Sequence, residues 1–209
     1  MVRKLFIFDM DGTLLRDTCA NLEIAKILKK LEPMQALEQS YEEGLIDEMQ
    51  FKQKLAQIFG VIKNDVLNQA FEAASKMTDI EYVVEHIKSE GDIPCLISLS
   101  PIAFTRKFAR FGFELIYGSS YPLDRVHHIA YANTPEDKLK IVNIVRAQYG
   151  IHLKDCIAFG DSFTDLEIFK KLEVTMSING SPEFESYAKF TYSGASLLEP
   201  YEKVLEVIN

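Results

Sequence analysis

The run Leu5-Phe6-Ile7-Phe8-Asp9-Met10-Asp11-Gly12-Thr13-Leu14 restricts the folds open to this chain more than any other segment. Its apolar, aromatic start reads as a strand buried on both faces, the pattern of a parallel sheet, and it stops abruptly on a carboxylate. In an open α/β sheet, ligands gather at the carboxyl ends of the strands, so Asp9 stands where chemistry is expected. Asp11 follows, and Gly12 permits the sharp turn that brings the two acids to one spot. An Asp-Gly turn is also ordinary loop chemistry. A second acidic cluster separates the two readings: Cys156-Ile157-Ala158-Phe159-Gly160-Asp161 is again a short apolar strand ending in an acid, and Asp165 follows at a helix start. Two such strands point to neighbours converging on one metal ion. A hard cation such as magnesium takes oxygen ligands, needs only one or two carboxylates and a carbonyl, and keeps several waters.

Asp9-Met10-Asp11-Gly12-Thr13-Leu14 and Gly160-Asp161-Ser162-Phe163-Thr164-Asp165 resemble the first and last signature motifs of the haloacid dehalogenase superfamily, most of whose members are phosphatases. Two intermediate motifs are present in family order. Pro94-Cys95-Leu96-Ile97-Ser98 is an apolar strand ending in a hydroxyl. Thr134-Pro135-Glu136-Asp137-Lys138 starts a helix, with Thr at the N-cap and Pro at the first helical position. The resemblance implies hydrolysis of a small phosphate monoester through an aspartyl phosphate on Asp9, with Asp11 giving and then taking a proton. It implies Mg2+ held by Asp9, Asp161 and the backbone carbonyl of Asp11. Phosphoryl oxygens would be met by Ser98, the backbone N–H of Leu99 and the ammonium of Lys138, with Asp165 orienting Lys138 or water. A proton on Asp11 is expected because Asp9, Asp161 and Asp165 are like charges. A dehalogenase expels a halide without needing a proton, and that branch lacks the second aspartate. A phosphomutase using the same aspartyl phosphate stays open, as does a catalytically silent binding protein of the same fold.

The fold class expected is α/β: a Rossmann-like, mostly parallel core with helices on both faces and an inserted helical cap. Strands are predicted over 4–8, 93–98, 113–117, 156–160 and 174–178, with a short edge strand over 190–192; helices over 102–111, 136–149 and 166–171, and a last one after Pro200. Residues 16–77 show only helical periodicity. Leu22, Ala25, Leu28 and Leu31 mark one helix ended by Pro33, and Asp47 with Gln50 makes a capping box before a 51–59 helix. Asn64 is expected to cap a 65–76 helix, and Thr78 with Glu81 to form a capping box for a 79–90 helix. The division is then a catalytic core of 1–15 and 79–209 with a cap of 16–78. Tyr41-Glu42-Glu43-Gly44 before a helix resembles phosphoserine phosphatases and their relatives. Those enzymes hold the substrate carboxylate with a cap arginine and its amine with a glutamate after the first motif. Here no arginine lies between Arg16 and Arg106, and Thr18 stands at the glutamate position. Arg16 and Thr18 are therefore the candidate selectivity residues, and free phosphoserine is expected to be a poor substrate.

A net charge of −8 argues against nonspecific binding to nucleic acid or acidic membranes. No apolar run approaches the roughly 20 residues that span a bilayer, and the chain enters a core strand at once, with no signal peptide expected. Cys19, Cys95 and Cys156 are odd in number and lack zinc spacing, which points to a reducing cytoplasm. His86 and His152 read as boundary residues, and adjacent His127 and His128 would face opposite sides of a strand. The partner expected is a small phosphorylated metabolite; the oligomeric state is not fixed by the sequence.

Overall fold

The computed structural model describes residues 2–120 and 131–208; His127 and His128 lie outside the described residues. Six strands, β1 (Leu5–Phe8), β2 (Ile93–Pro101), β3 (Leu115–Ser119), β4 (Cys156–Gly160), β5 (Val174–Ile178) and β6 (Phe190–Tyr192), form one sheet in the order β3-β2-β1-β4-β5-β6. Every pairing is parallel. After β1 the chain builds β2 and β3 on one side, then returns to lay β4 and β5 on the other. The direction of winding therefore reverses between β1 and β4, and the crevice at their carboxyl ends is the topological switch point.

The period of two along β1 divides the core. Phe6 and Phe8 enter one apolar cluster, shared with the helices that follow β1, while Leu5 and Ile7 enter a second on the opposite face. The helices are α1 (Ala20–Leu28), α2 (Leu31–Glu42), α3 (Glu48–Phe59), α4 (Asn64–Ala73), α5 (Ile80–Ser89), α6 (Ile102–Thr105), α7 (Pro135–Gln148), α8 (Leu166–Phe169), α9 (Pro182–Glu185) and α10 (Leu198–Ile208). α5 and α10 cover the first face; α7 and α8 cover the second.

Helices α1–α4 pack on one another in the β1–β2 connection. α4 docks on the core through Phe71, whose ring meets Phe104 and Phe108 edge-on with centroids 5.6 and 5.2 Å away. The two chain crossings between these helices and the sheet run side by side: Arg16 N–H donates to the Ser75 carbonyl at 2.9 Å and Met77 N–H to that of Leu14 at 3.0 Å.

Several boundaries differ from the sequence expectation. β2 runs three residues past Ser98 to Pro101, with a register shift between Ile97 and Pro101. β3 starts at Leu115 rather than Phe113, because Gly112 in the left-handed region ends the preceding turn and Phe113 drops into the core against Phe8. The 102–111 helix is α6 followed by a 3-10 turn over Arg106–Phe111, and α8 stops at Phe169. Pro33 does not end the first helix. Lys29 in the left-handed conformation ends α1, and Pro33 lies in the first turn of α2, where its missing N–H has no partner to lose. Pro200 is likewise in the first turn of α10, which starts at Leu198. The Asp47–Gln50 capping box forms, with hydrogen bonds of 2.8 and 3.0 Å. Asn64 is already helical and turns its side chain to Lys107. The Thr78 box is absent, since Asp79 takes the N-cap at φ 66° and Thr78 Oγ1 donates to the Asp79 carboxylate instead.

Candidate active site

β1 and β4 deliver Asp9 and Asp161 to the same end of the sheet, and Asp9 N–H extends their ladder by donating to the Phe159 carbonyl at 2.9 Å. Gly12 makes the rest possible. Its φ is +76°, and a Cβ there would overlap the Asp161 carboxylate, so only glycine lets the loop after β1 close over β4.

Lys138, from the first turn of α7, reaches this crevice with 1% exposure. Its Nζ donates to Asp9 Oδ1 at 2.5 Å, Asp165 Oδ1 at 2.8 Å and Thr164 Oγ1 at 3.2 Å, using all three ammonium protons. The N-cap of α7 forms as expected, with Thr134 Oγ1 accepting from Asp137 N–H. Asp165 is fixed from its other oxygen by Asp161 N–H at 3.3 Å. The Asp11 carboxylate points away from this group. It accepts from Ala20 N–H at 2.7 Å, at the start of α1, and from Ser98 Oγ at 2.9 Å.

Burial pushes Asp9 upward against the opposing pull of Lys138, with Asp165, Asp161 and Asp11 adding to the rise. Asp161 is raised chiefly by burial and then by Asp165. Burial alone would lower Lys138, yet Asp165 and Asp9 outweigh it and hold the ammonium charged. Asp11 is raised too, but the cause differs from the sequence expectation. Burial leads, opposed by hydrogen bonds from Ala20, Ser100 and Ser98; like-charge repulsion is not among its main causes.

The residues present fit a divalent cation. Asp9, Asp161 and Asp165 each place a carboxylate oxygen within 4.8 Å of the others. One lysine stands against three carboxylates, and burial together with the neighbouring acids raises Asp9 and Asp161, a cost that a divalent cation would relieve. The carboxylate cluster adds Asp165 to the Asp9 and Asp161 expected from the sequence.

A cavity of about 740 Å3 opens between this floor and helices α1–α3. Asp9, Asp11, Leu99, Lys138, Asp161 and Thr18 line it. Ser98 does not. It is fully buried, and its oxygen gives its proton to Asp11 and accepts Ser100 N–H at 2.9 Å, so Ser100 and Leu99 form the wall. Arg16 is also absent from the lining. Asp17 at φ 58° turns the chain, and the Arg16 guanidinium pairs with the Asp17 carboxylate at 3.4 Å. Thr18 Oγ1 donates to Glu23 at 2.5 Å. Sequence reasoning missed Ser100, Thr164, Asn21 and Glu38. Thr164 lies within a motif already quoted and Ser100 two residues past another, whereas Asn21 and Glu38 carry no motif.

A strand-end carboxylate paired with a buried lysine and ringed by three further acids stands at the switch point of a parallel sheet, the ligand-binding position of the open α/β class. Residues 6–170 match the haloacid dehalogenase-like hydrolase family, and the chain belongs to it. Phosphoserine phosphatase of Methanocaldococcus jannaschii is 21% identical over 208 residues, covering 94% of this chain and 95% of that protein. Among solved structures, a phospho-aspartyl intermediate analogue of phosphoserine phosphatase superposes with a TM-score of 0.81 at 18% identity, covering 100% of both chains. A HAD family hydrolase from Salmonella enterica serovar Typhi gives 0.82 at 20% identity, covering 94% of this chain and 70% of that one.

Proposed function

We propose that this chain hydrolyses a small phosphate monoester with magnesium, through an aspartyl phosphate formed on Asp9. The chain is a phosphoric monoester hydrolase. The observation that carries the detailed reading is the Asp9–Lys138–Asp165 chain of ion pairs at the mouth of β1, with Asp11 held beside it by Ser98.

Asp9 is the nucleophile, its carboxylate attacking phosphorus in line with the leaving alcohol. Lys138 keeps Asp9 oriented and supplies a positive charge to a phosphoryl oxygen. Leu99 and Ser100 flank the same space, and Ser98 acts through Asp11, fixing its rotamer. Asp11 protonates the leaving oxygen and then takes a proton from the attacking water, and burial, by raising its pKa, favours the protonated form this role starts from. Asp165 positions Lys138. Magnesium held by Asp9, Asp161 and the backbone carbonyl of Asp11 would neutralise the acids and draw charge from the phosphoryl group.

Residues 16–78 serve as a cap over the site, hinged at the paired crossings near Leu14 and Met77, excluding water from the bound ester. The substrate is of metabolite size, since the cavity lies within the range of small-molecule sites. Three free cysteines support a reducing, cytoplasmic setting, and among the described residues no helix is long and apolar enough to cross a membrane. Phosphate release from a panel of phosphorylated metabolites, with and without magnesium, tests the reading. Activity on no ester, or activity indifferent to divalent cations, would overturn it.

A further inference from the structure

The cavity lies within the size range that holds a drug-sized ligand, so a phosphoryl group on its floor leaves most of the space to the alcohol portion of the substrate. Apolar side chains wall that space from both sides. Leu22, Ile46 and Phe51 line it from the cap, and Leu99 and Phe163 line it from the core. Phe163 is the informative residue. It is 44% exposed, and its ring is held on the core by Phe184 and Tyr187, with centroids 5.9 and 6.2 Å away. A fixed aromatic ring left open on the wall of a binding cavity is apolar surface that a ligand can cover. On the cap side Phe51 packs against Tyr41, with centroids 5.1 Å apart.

The polar side chains of the cap wall are turned onto their own neighbours. Thr18 Oγ1 donates to Glu23 at 2.5 Å, Tyr41 Oη to Glu48 at 2.8 Å and Asn21 Nδ2 to Glu38 at 3.4 Å. Lys138 is the one lysine or arginine among the described lining residues, and its three protons are committed to Asp9, Asp165 and Thr164. A carboxylate or a second phosphate on the substrate would meet Glu38, Glu42 and Glu48 with no cation to pair with, and burying it unpaired is costly. A polyol would give up its hydration to face Leu22, Ile46 and Phe163. An uncharged apolar group has no such loss, and each carbon it buries is a gain.

We propose that the alcohol portion of the substrate is an uncharged, largely apolar group, a phenyl ring or a branched alkyl chain in size, seated against Phe163 on the core and Ile46 and Phe51 on the cap. This rests on the phosphatase reading of the floor. The cap then selects by excluding anions and covering apolar surface, and the floor supplies the charge-bearing contacts of the phosphoryl group.

The test compares monoesters of primary alcohols, whose leaving groups are chemically alike: 2-phenylethyl phosphate, ethyl phosphate, glucitol 6-phosphate and phosphoserine. Burial of the phenyl ring implies a roughly thirty- to hundredfold advantage in kcat/KM for the phenylethyl ester over the ethyl ester, carried mainly by KM. Glucitol 6-phosphate and phosphoserine should fall below the phenylethyl ester. Phe163→Ala and Ile46→Asn, one from each wall, should each cut the phenylethyl-to-ethyl ratio by about fivefold or more. Circular dichroism checks the fold of each variant, and Ile46→Asn decides if Phe163→Ala does not fold. Equal use of the phenylethyl and ethyl esters, a preference for glucitol 6-phosphate or phosphoserine, or a ratio unmoved by substitution of a folded wall variant overturns the proposal. Calorimetric binding of the same esters to Asp9→Asn separates the two readings. If no ester is hydrolysed but the phenylethyl ester binds best, with the more negative heat-capacity change that apolar burial gives, the phosphatase reading fails and the apolar site stands. If the phenylethyl ester binds no better than the ethyl ester, the apolar site fails whatever is hydrolysed.

Discussion

The two walls of the cavity are built by different physics. The floor is the end of a parallel sheet, where each chemical group is fixed by a strand terminus or by the first turn of a helix, and each is tied to another. Lys138 joins Asp9 to Asp165, Asp165 joins Asp161, and Ser98 joins Asp11 to Ser100. The cap wall is a set of amphipathic helices whose inner faces are apolar, through Leu37, Phe51 and Leu55, with acidic residues dispersed among them. A change in the floor should stop the reaction for every substrate. A change in the wall should alter which substrate is taken and leave the chemical step in place.

The largest effect expected is from Asp9→Asn, which removes the covalent route. Turnover should fall by roughly ten-thousandfold or more on every ester, with no acid-stable label trapped from a phosphorylated substrate. Label trapped on another residue, or a loss confined to some esters, would break the distinction between floor and wall. Asp161→Ala should follow, costing about a hundredfold or more in the divalent-stimulated rate, while circular dichroism stays close to the parent. Full activity of that variant in magnesium would remove Asp161 from the metal site.

Legibility in the sequence divides along the same line. The floor could be read because strand ends announce themselves: β4, β5 and β6 begin and end where the apolar runs do, and Asp9, Asp161, Asp165 and Lys138 converge with Asp11 beside them. Rotamers and exact burial could not be read. Ser98 looked outward in the sequence but spends its hydroxyl on Asp11, and Asp11 is raised by burial rather than by its acidic neighbours. The cap was legible as helices and little more. Proline was read as a stop at Pro33, where the same ring is equally at home in a first helical turn. Glu38 and Asn21 were invisible because a glutamate on a helix is usually solvated, and only the packing of α1 against α2 buries these two against the cavity.

Gly12→Ala should fall between the walls in size. The substitution forces a left-handed φ on a residue with a Cβ, costing about 1–2 kcal/mol, and pushes that Cβ into the Asp161 carboxylate. Chemical denaturation should show the stability loss, and activity should fall further than stability explains, because Asp161 must move. A variant as active as the parent would mean the β1 loop has freedom the floor is argued to lack.

The smallest expected effect on the chemical step comes from the wall, and its readout is stability. Burial lifts Glu38 from 4.5 to about 7, with Asp11 and Glu42 adding to the rise and the bonds from Asn21 and Cys19 opposing it. Between those two values the folded chain keeps a proton that the unfolded chain has released, so this residue lowers stability as pH rises through the window. The penalty is absent below about 4.5 and complete above about 7. Glu38→Gln has no proton to lose, so its stability should decline less over the same range. Allowing for partial solvation of Glu38, the variant should gain about 2 kcal/mol on the parent between pH 4 and pH 8. Urea melts of both proteins, in chelator at pH 4, 6 and 8, measure this directly. The floor acids other than Asp11, which interacts with the Glu38 charge, titrate alike in both proteins. Parallel curves across the window would show Glu38 to be solvated like an ordinary helix glutamate, and the cap wall would lose the buried carboxylate that sets it apart from the surface of the molecule.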